Sequence, residues 1–143
     1  MRLFDVNVLV YAHRADANHH EACRSFLDDT IADPAAFGLS PLALSGFLRI
    51  VTHPRIFKTP TPLPDALDFV VALRGQPQAI VIEPGPRHWD LFTSLSADVA
   101  ARGNLIPDAY FAAIAIESGS EWVTTDGDFA RFPRLRWIDP RAA

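Results

Sequence analysis

At 143 residues, with 49% hydrophobic and 21% charged residues, the chain has the size and composition of a globular domain with a buried core. No apolar run approaches the roughly 20 residues needed to cross a bilayer. Asp5, Asn7, Arg14 and Asp16 break up any secretory pattern at the N-terminus, and the single cysteine, Cys23, excludes an intramolecular disulfide. The expectation is one domain over residues 1–143, cytoplasmic and without membrane contact. A net charge of −4 does not advertise a polyanion binder, yet two segments are basic: Arg49, Arg55 and Lys58 lie in an acid-free run from Pro34 to Pro64, and Arg131, Arg134, Arg136 and Arg141 crowd the C-terminus.

Taken in order, Arg2 to Val6 reads as a short buried strand with Asp5 at its C-terminal end, and Asn7 to His13 as a helical turn. Asn18 with Glu21 three residues later has the form of a capping box. It opens a helix with Ala22, Phe26, Leu27 and Ile31 on one side, ended by Asp33-Pro34. Phe37-Gly38-Leu39 is a second strand. Ser40 as N-cap and Pro41 at the first helical position start a helix from Leu42 to Thr52, with Gly46 inside it at a cost of about 1 kcal/mol relative to Ala.

Pro64 to Leu73 is an amphipathic helix, Ala79 to Ile82 a third buried strand, and Pro86 to Ala101 a long helix with Trp89, Phe92, Leu95 and Val99 along one side and Gly103 as its cap. His88 beside Trp89 is expected at a partly buried surface. Asp108 to Glu117, opened by Pro107, is apolar nearly all round and predicts a helix packed closely on a sheet. Trp122-Val123-Thr124 is a fourth strand, followed by a loop at Asp126-Gly127-Asp128, and Leu135 to Ile138 is a possible fifth. Strands alternating with helices predict a three-layer α/β/α domain with a mostly parallel central sheet of four to five strands.

In such sheets functional residues gather beyond the C-terminal ends of the strands. Asp5 ends the first strand, Asp126 and Asp128 follow the fourth, and Asp108 sits in the first turn of a helix, where the dipole favours negative charge. Each acid has a structural use as well: Asp5 as a cap, Asp108 as a helix N-terminal acid, Asp126 and Asp128 as an Asx-type turn. Brought together, the four repel one another unless a cation lies among them. Hard oxygen donors select Mg2+ or Mn2+, ions that activate water and clamp a phosphoryl displacement. Asn7 is expected to bond locally or to orient Asp5, and Thr124 to support Asp126. Arg49, His53 and Arg55, which follow Gly46, are candidate phosphate contacts.

Phe4-Asp5-Val6-Asn7-Val8-Leu9, Pro107-Asp108-Ala109 and Val123-Thr124-Thr125-Asp126-Gly127-Asp128-Phe129 resemble, in this order, the motifs of PIN-domain ribonucleases, specifically the VapC-type toxins of toxin–antitoxin pairs. The resemblance spans the chain from its first strand almost to its C-terminus. It implies a PIN fold and Mg2+- or Mn2+-dependent endonucleolytic cleavage of RNA, with Asp5, Asp108 and Asp126 as catalytic metal ligands and Asp128 as an auxiliary one. It also implies an RNA substrate of the tRNA or rRNA class, a small antitoxin partner, and a homodimer.

One departure stands out. The family pattern carries a Glu in a run resembling Ala-Glu-Phe/Leu-Leu-Arg, and here the run is Leu44-Ser45-Gly46-Phe47-Leu48-Arg49, with Gly46 at the Glu position. Room for water or substrate backbone is one reading of that glycine, and Glu117 is a remote substitute, about 13 Å along the helix from Asp108. The missing acid keeps a rival open, a non-catalytic scaffold that binds RNA or an antitoxin.

Overall fold

The structure is a computed structural model that describes residues 1–143. Five strands form one wholly parallel sheet in the order β3-β2-β1-β4-β5: β1 (Arg2–Phe4), β2 (Phe37–Leu39), β3 (Ala79–Val81), β4 (Glu121–Val123) and β5 (Trp137–Ile138). Alternation along the strands divides the core between the two faces. Phe4, Phe37, Leu39 and Val123 face a layer of four helices, α1 (Val6–His13), α2 (His20–Ala32), α3 (Pro41–Val51) and α4 (Leu63–Arg74). Leu3 and Trp122 face α5 (His88–Asp98) and α6 (Leu105–Glu117), joined by Phe129 and Phe132 from the 3-10 turn after β4. The result is the three-layer α/β/α architecture.

Several boundaries differ from the sequence expectation, each for a local reason. β1 stops at Phe4 rather than Val6 because Asp5 turns the chain: it takes extended dihedrals and its carboxylate accepts the Val6 N–H, capping α1. α2 opens at His20 and not after Asn18, and its N-cap His19 makes no side-chain cap bond. The turn between α1 and α2 is tied instead by the His20 ring, whose Nδ1 donates to the Tyr11 carbonyl at 2.8 Å. β3 is an edge strand with Ile80 and Val81 exposed, not a buried one.

α5 is shorter than the run from Pro86 to Ala101. At its start the Glu117 carboxylate accepts the N–H groups of Gly85 (2.6 Å) and Arg87 (2.8 Å), fixing that stretch as a turn. At its end Ala100 adopts φ 49°, so Gly103 lies in the following turn and is not the cap. The buried face of α5 also differs: Trp89 is 65% exposed while His88 is buried and bonds the Tyr110 carbonyl at 2.9 Å.

Gly46 acquires a packing reason. A Cβ there would stand 2.9 Å from Val6 Cγ2, so the glycine lets α3 approach the first turn of α1. α6 is the close-packed helix its composition predicts: Ala109, Ala112, Ala113, Ile114 and Ala115 are all buried. No helix is long and apolar enough to cross a membrane.

Candidate metal centre and its flanking grooves

β1 and β4 are adjacent in the sheet, with Phe4 in register with Val123, while β1 pairs on its other side with β2. Their carboxyl ends flank the point where strand order reverses, the position at which parallel sheets place their sites. Asp5 leaves β1 there, its own N–H bonded to the Val123 carbonyl at 2.9 Å. One residue past β4, Thr124 joins the two chain segments: its hydroxyl donates to Asp5 Oδ2 at 2.7 Å and accepts the Asp126 N–H at 3.0 Å. Asp5 Oδ1 accepts the Val6 N–H at 2.7 Å. Asp126 in turn caps the 3-10 turn Gly127–Arg131 by accepting the Asp128 N–H at 2.9 Å. Capping and clustering are therefore combined in the same side chains. Arg141 braces the loop from behind: paired with Asp139 at 2.6 Å, it donates to the Thr125 carbonyl at 2.9 Å.

Asp108, in the first turn of α6, completes the group. One carboxylate oxygen each from Asp108, Asp126 and Asp128 lie within 4.8 Å of one another. Asp5 falls outside that trio and sits behind it, 7% exposed. Burial and mutual repulsion shape the electrostatics of the group. Burial pushes Asp5 up to about 6, against the hydrogen bonds from Thr124 and Val6, with Asp126 repulsion adding to the rise. Asp108 is also raised to about 6, by burial first and then by Asp126, Asp5 and Asp128. No ion pair engages Asp5, Asp108 or Asp126; Asp128 has only Arg131, at 4.0 Å and exposed. Oxygens bound to one Mg2+ at about 2.1 Å are at most about 4.2 Å apart, so the trio fits a hard divalent ion after a small side-chain adjustment. The donor set is all oxygen, as Mg2+ and Mn2+ require.

The remaining candidates are dispersed. Asn7 does not orient Asp5, whose partners are Val6 and Thr124; it lines a recess with Leu42, Gly46, Arg49, Pro107 and Phe111. Arg49 is exposed on that recess, whereas His53 and Arg55 lie beyond the end of α3, where His53 Nδ1 accepts the Arg55 N–H at 3.1 Å. Glu117 is occupied by the Gly85–Arg87 turn and supplies nothing to the cluster.

On the other side of the acids is a groove lined by Val99, Arg102, Asn104, Asp108, Asp128 and Arg131. Sequence reasoning missed Arg102 and Asn104. Their only signal was their place in the short loop that delivers α6, and therefore Asp108, to the site.

Comparisons with known proteins agree with this fold. The PIN domain family model matches residues 2–135. Ribonuclease VapC43 of Mycobacterium tuberculosis is 47% identical over 140 residues, covering 98% of this chain and 95% of the relative. Ribonuclease VapC25 of the same organism is 44% identical over 140 residues, covering 98% and 99%. Among solved structures, VapBC2 from Rickettsia felis, bound to a DNA fragment from its promoter, superposes with a TM-score of 0.72 at 17% identity, covering 96% of this chain and 97% of that one. VapC20 of M. tuberculosis, described as a sarcin-ricin loop cleaving toxin, gives 0.65 at 14% identity, covering 91% and 93%. At those identities the superpositions establish the fold; the family is established by the sequence matches. The chain belongs to the PIN-domain family, among the VapC ribonucleases.

Proposed function

We propose that this protein is a metal-dependent endoribonuclease toxin that hydrolyses RNA phosphodiester bonds and is inhibited by a cognate antitoxin. The observation that carries the reading is the trio of Asp108, Asp126 and Asp128, whose one ion pair is the exposed Arg131 at 4.0 Å from Asp128, beside a buried Asp5. Asp108, Asp126 and Asp128 would hold Mg2+ or Mn2+, with Asp5 as the anchored acid behind them. A divalent ion there supplies Lewis-acid activation of water and neutralises charge building up at the scissile phosphate.

The chain's own residues do the rest. Thr124 holds Asp5 and the Asp126 backbone in fixed relation. Arg49 on one side, and Arg102 and Arg131 on the other, present guanidinium groups to the phosphates flanking the cut. His53 and Arg55, beyond the end of α3, would meet phosphates farther along the RNA.

The substrate we assign is a structured RNA of the tRNA or rRNA class, in keeping with VapC20, the sarcin-ricin loop cleaving toxin. An antitoxin partner is supported by the toxin–antitoxin complexes among the structural neighbours, including one from Klebsiella pneumoniae. A homodimer is supported by the exposed apolar stripe of α4, Leu63, Leu67 and Val71 at helical spacing. Cytoplasmic residence accords with a lone, buried, unpaired Cys23.

A second reading, a non-catalytic RNA- or antitoxin-binding scaffold, is favoured by one observation: Gly46 stands where the family pattern has an acid. Purified protein incubated with total RNA separates the two. The nuclease reading predicts discrete Mg2+-dependent fragments, lost with EDTA and in Asp5→Ala and Asp126→Ala. Intact RNA with every divalent ion tried, or cleavage that survives both substitutions, overturns it.

A further inference from the structure

The recess above Gly46 has a volume of about 340 Å³, within the span of small-ligand sites of about 300–1,000 Å³. It shares its walls with the acidic cluster. Val6 and Asn7 directly follow Asp5, and Pro107 directly precedes Asp108. Its character is nonetheless different. Leu42, Pro107 and Phe111 make it largely apolar, and the Phe111 ring is braced against buried Trp122 at 5.2 Å and 27°. Two polar features remain: the Asn7 amide, which is not spent on Asp5, and Arg49 at the rim. Gly46 and Val6 line it side by side, close enough that a Cβ at residue 46 would stand 2.9 Å from Val6 Cγ2.

We infer that this recess receives one unstacked nucleobase of the RNA, adjacent to the phosphate held at the acids. The inference rests on the ribonuclease reading above and deepens it. Two depressions, lined by the acids or by their immediate chain neighbours, are open to the base of a nucleotide whose phosphate lies at the cluster. The groove of Arg102, Asn104, Asp108, Asp128 and Arg131 is polar and charged, suited to the sugar–phosphate chain. The Gly46 recess offers an aromatic wall for stacking, an amide with one donor and one acceptor face for a base edge, and a guanidinium at its mouth for the next phosphate. An apolar side chain of a partner protein would use the wall and leave the amide and the guanidinium without a complement. Single-stranded RNA satisfies all three. Asn7, Leu42 and Phe111 thereby become determinants of which nucleotide flanks the cut.

The test uses a random-sequence 12-nucleotide RNA pool, Mg2+ and sequencing of the cut ends. Leu42, 49% exposed, and Ser45, also exposed, project from α3 at the recess, so Leu42→Trp and Ser45→Trp narrow it without entering the core; thermal melts confirm that both fold. Wild type is expected to show at least about a tenfold preference for one nucleotide at one position beside the cut, the scale of a bidentate amide contact to a base edge. Both variants should flatten that preference to about threefold or less while still cutting the pool.

An unchanged preference in both variants overturns the inference, including the case in which they weaken binding of a partner protein, which would give the recess to that partner. So does a uniform fall in rate across all sequences, or a wild type without preference at any position. A preparation that cuts total RNA but leaves the pool intact overturns this inference alone, whereas intact total RNA overturns the ribonuclease reading and this inference with it.

Discussion

Thr124 holds two carboxylate-bearing segments at once, and the chemistry of the centre depends on it more than on Asn7. Its hydroxyl is both donor to Asp5 and acceptor for Asp126, so Thr124→Val, which keeps the shape, leaves a buried acceptor and a backbone donor unpaired. We expect a loss of about 1–3 kcal/mol in chemical denaturation, with Thr124→Ser recovering most of it. Equal stability of the two variants would contradict the bridging role.

Asp5 gives a second prediction. In the metal-free fold its carboxyl is raised from 3.8 to about 6 by burial, so between those values the folded chain keeps a proton that the unfolded chain has lost. The stability this group contributes is therefore fully present below about pH 4 and is lost as pH rises through 6. Two units correspond to about 3 kcal/mol at pH 7.5; Asp108, partly exposed, contributes less because solvent screens it. The melting temperature of EDTA-treated protein should rise by on the order of 5 °C from pH 7.5 to pH 5.5, and Mg2+ should raise it more at pH 7.5 than at pH 5.5. Asp126→Asn removes one repelling charge from both Asp5 and Asp108. It should stabilise the metal-free protein at pH 7.5 while lowering RNA cleavage by at least about 100-fold. A variant that is both less stable without metal and as active as wild type would show that the acids are structural caps only.

At the scale of elements, the contact between α1 and α3 is set by Gly46. Alanine there would gain about 1 kcal/mol of helix propensity, but its Cβ would press on Val6 Cγ2 at 2.9 Å, and a β-branched side chain has few rotamers to retreat to. In a Val6→Ala background, Gly46→Ala should therefore stabilise by about 1 kcal/mol; in the natural background it should be neutral or destabilising. Equal effects in both backgrounds would refute the close approach. This element also shows how much the sequence discloses. The strand–helix alternation, the parallel sheet and the Ala-rich buried helix α6 were legible because periodicity and composition record burial directly. The edge position of β3 was not, since an apolar run of three residues is the same whether one or two strands flank it. The buried side of α5 was misjudged because His88 reads as polar until its Tyr110 carbonyl partner is known. The reason for Gly46 was hidden because a residue's lack of a side chain says nothing about which neighbour fills the space. At the centre the acids were legible as carboxylates at strand and helix ends. Their grouping, with Asp128 alongside Asp108 and Asp126 and Asp5 behind, depends on side-chain directions that spacing does not encode.

For the whole molecule, the charge distribution and the apolar surface belong to different faces of one account. The net charge is −4, so RNA attraction must come from local arginines: Arg102 and Arg131 share a groove with Asp108 and Asp128, and Arg49 lines the recess beside Asn7 and Pro107. Leu63, Leu67 and Val71 expose one stripe of α4, which under the dimer reading is covered by a second copy. Leu67→Glu with Val71→Glu should halve the mass measured by light scattering without lowering the melting temperature of the monomer. A mass that is monomeric already in the natural protein would overturn that reading.

All of this turns on whether Asp108, Asp126 and Asp128, without an acid at position 46, hold a divalent ion over Asp5. Crystals of the protein soaked in Mn2+ and measured at the manganese absorption edge answer it directly. The account predicts an anomalous peak within coordination distance of carboxylate oxygens from Asp108, Asp126 and Asp128, absent in Asp126→Asn. No peak at the trio, or a peak unchanged by that substitution, would contradict it.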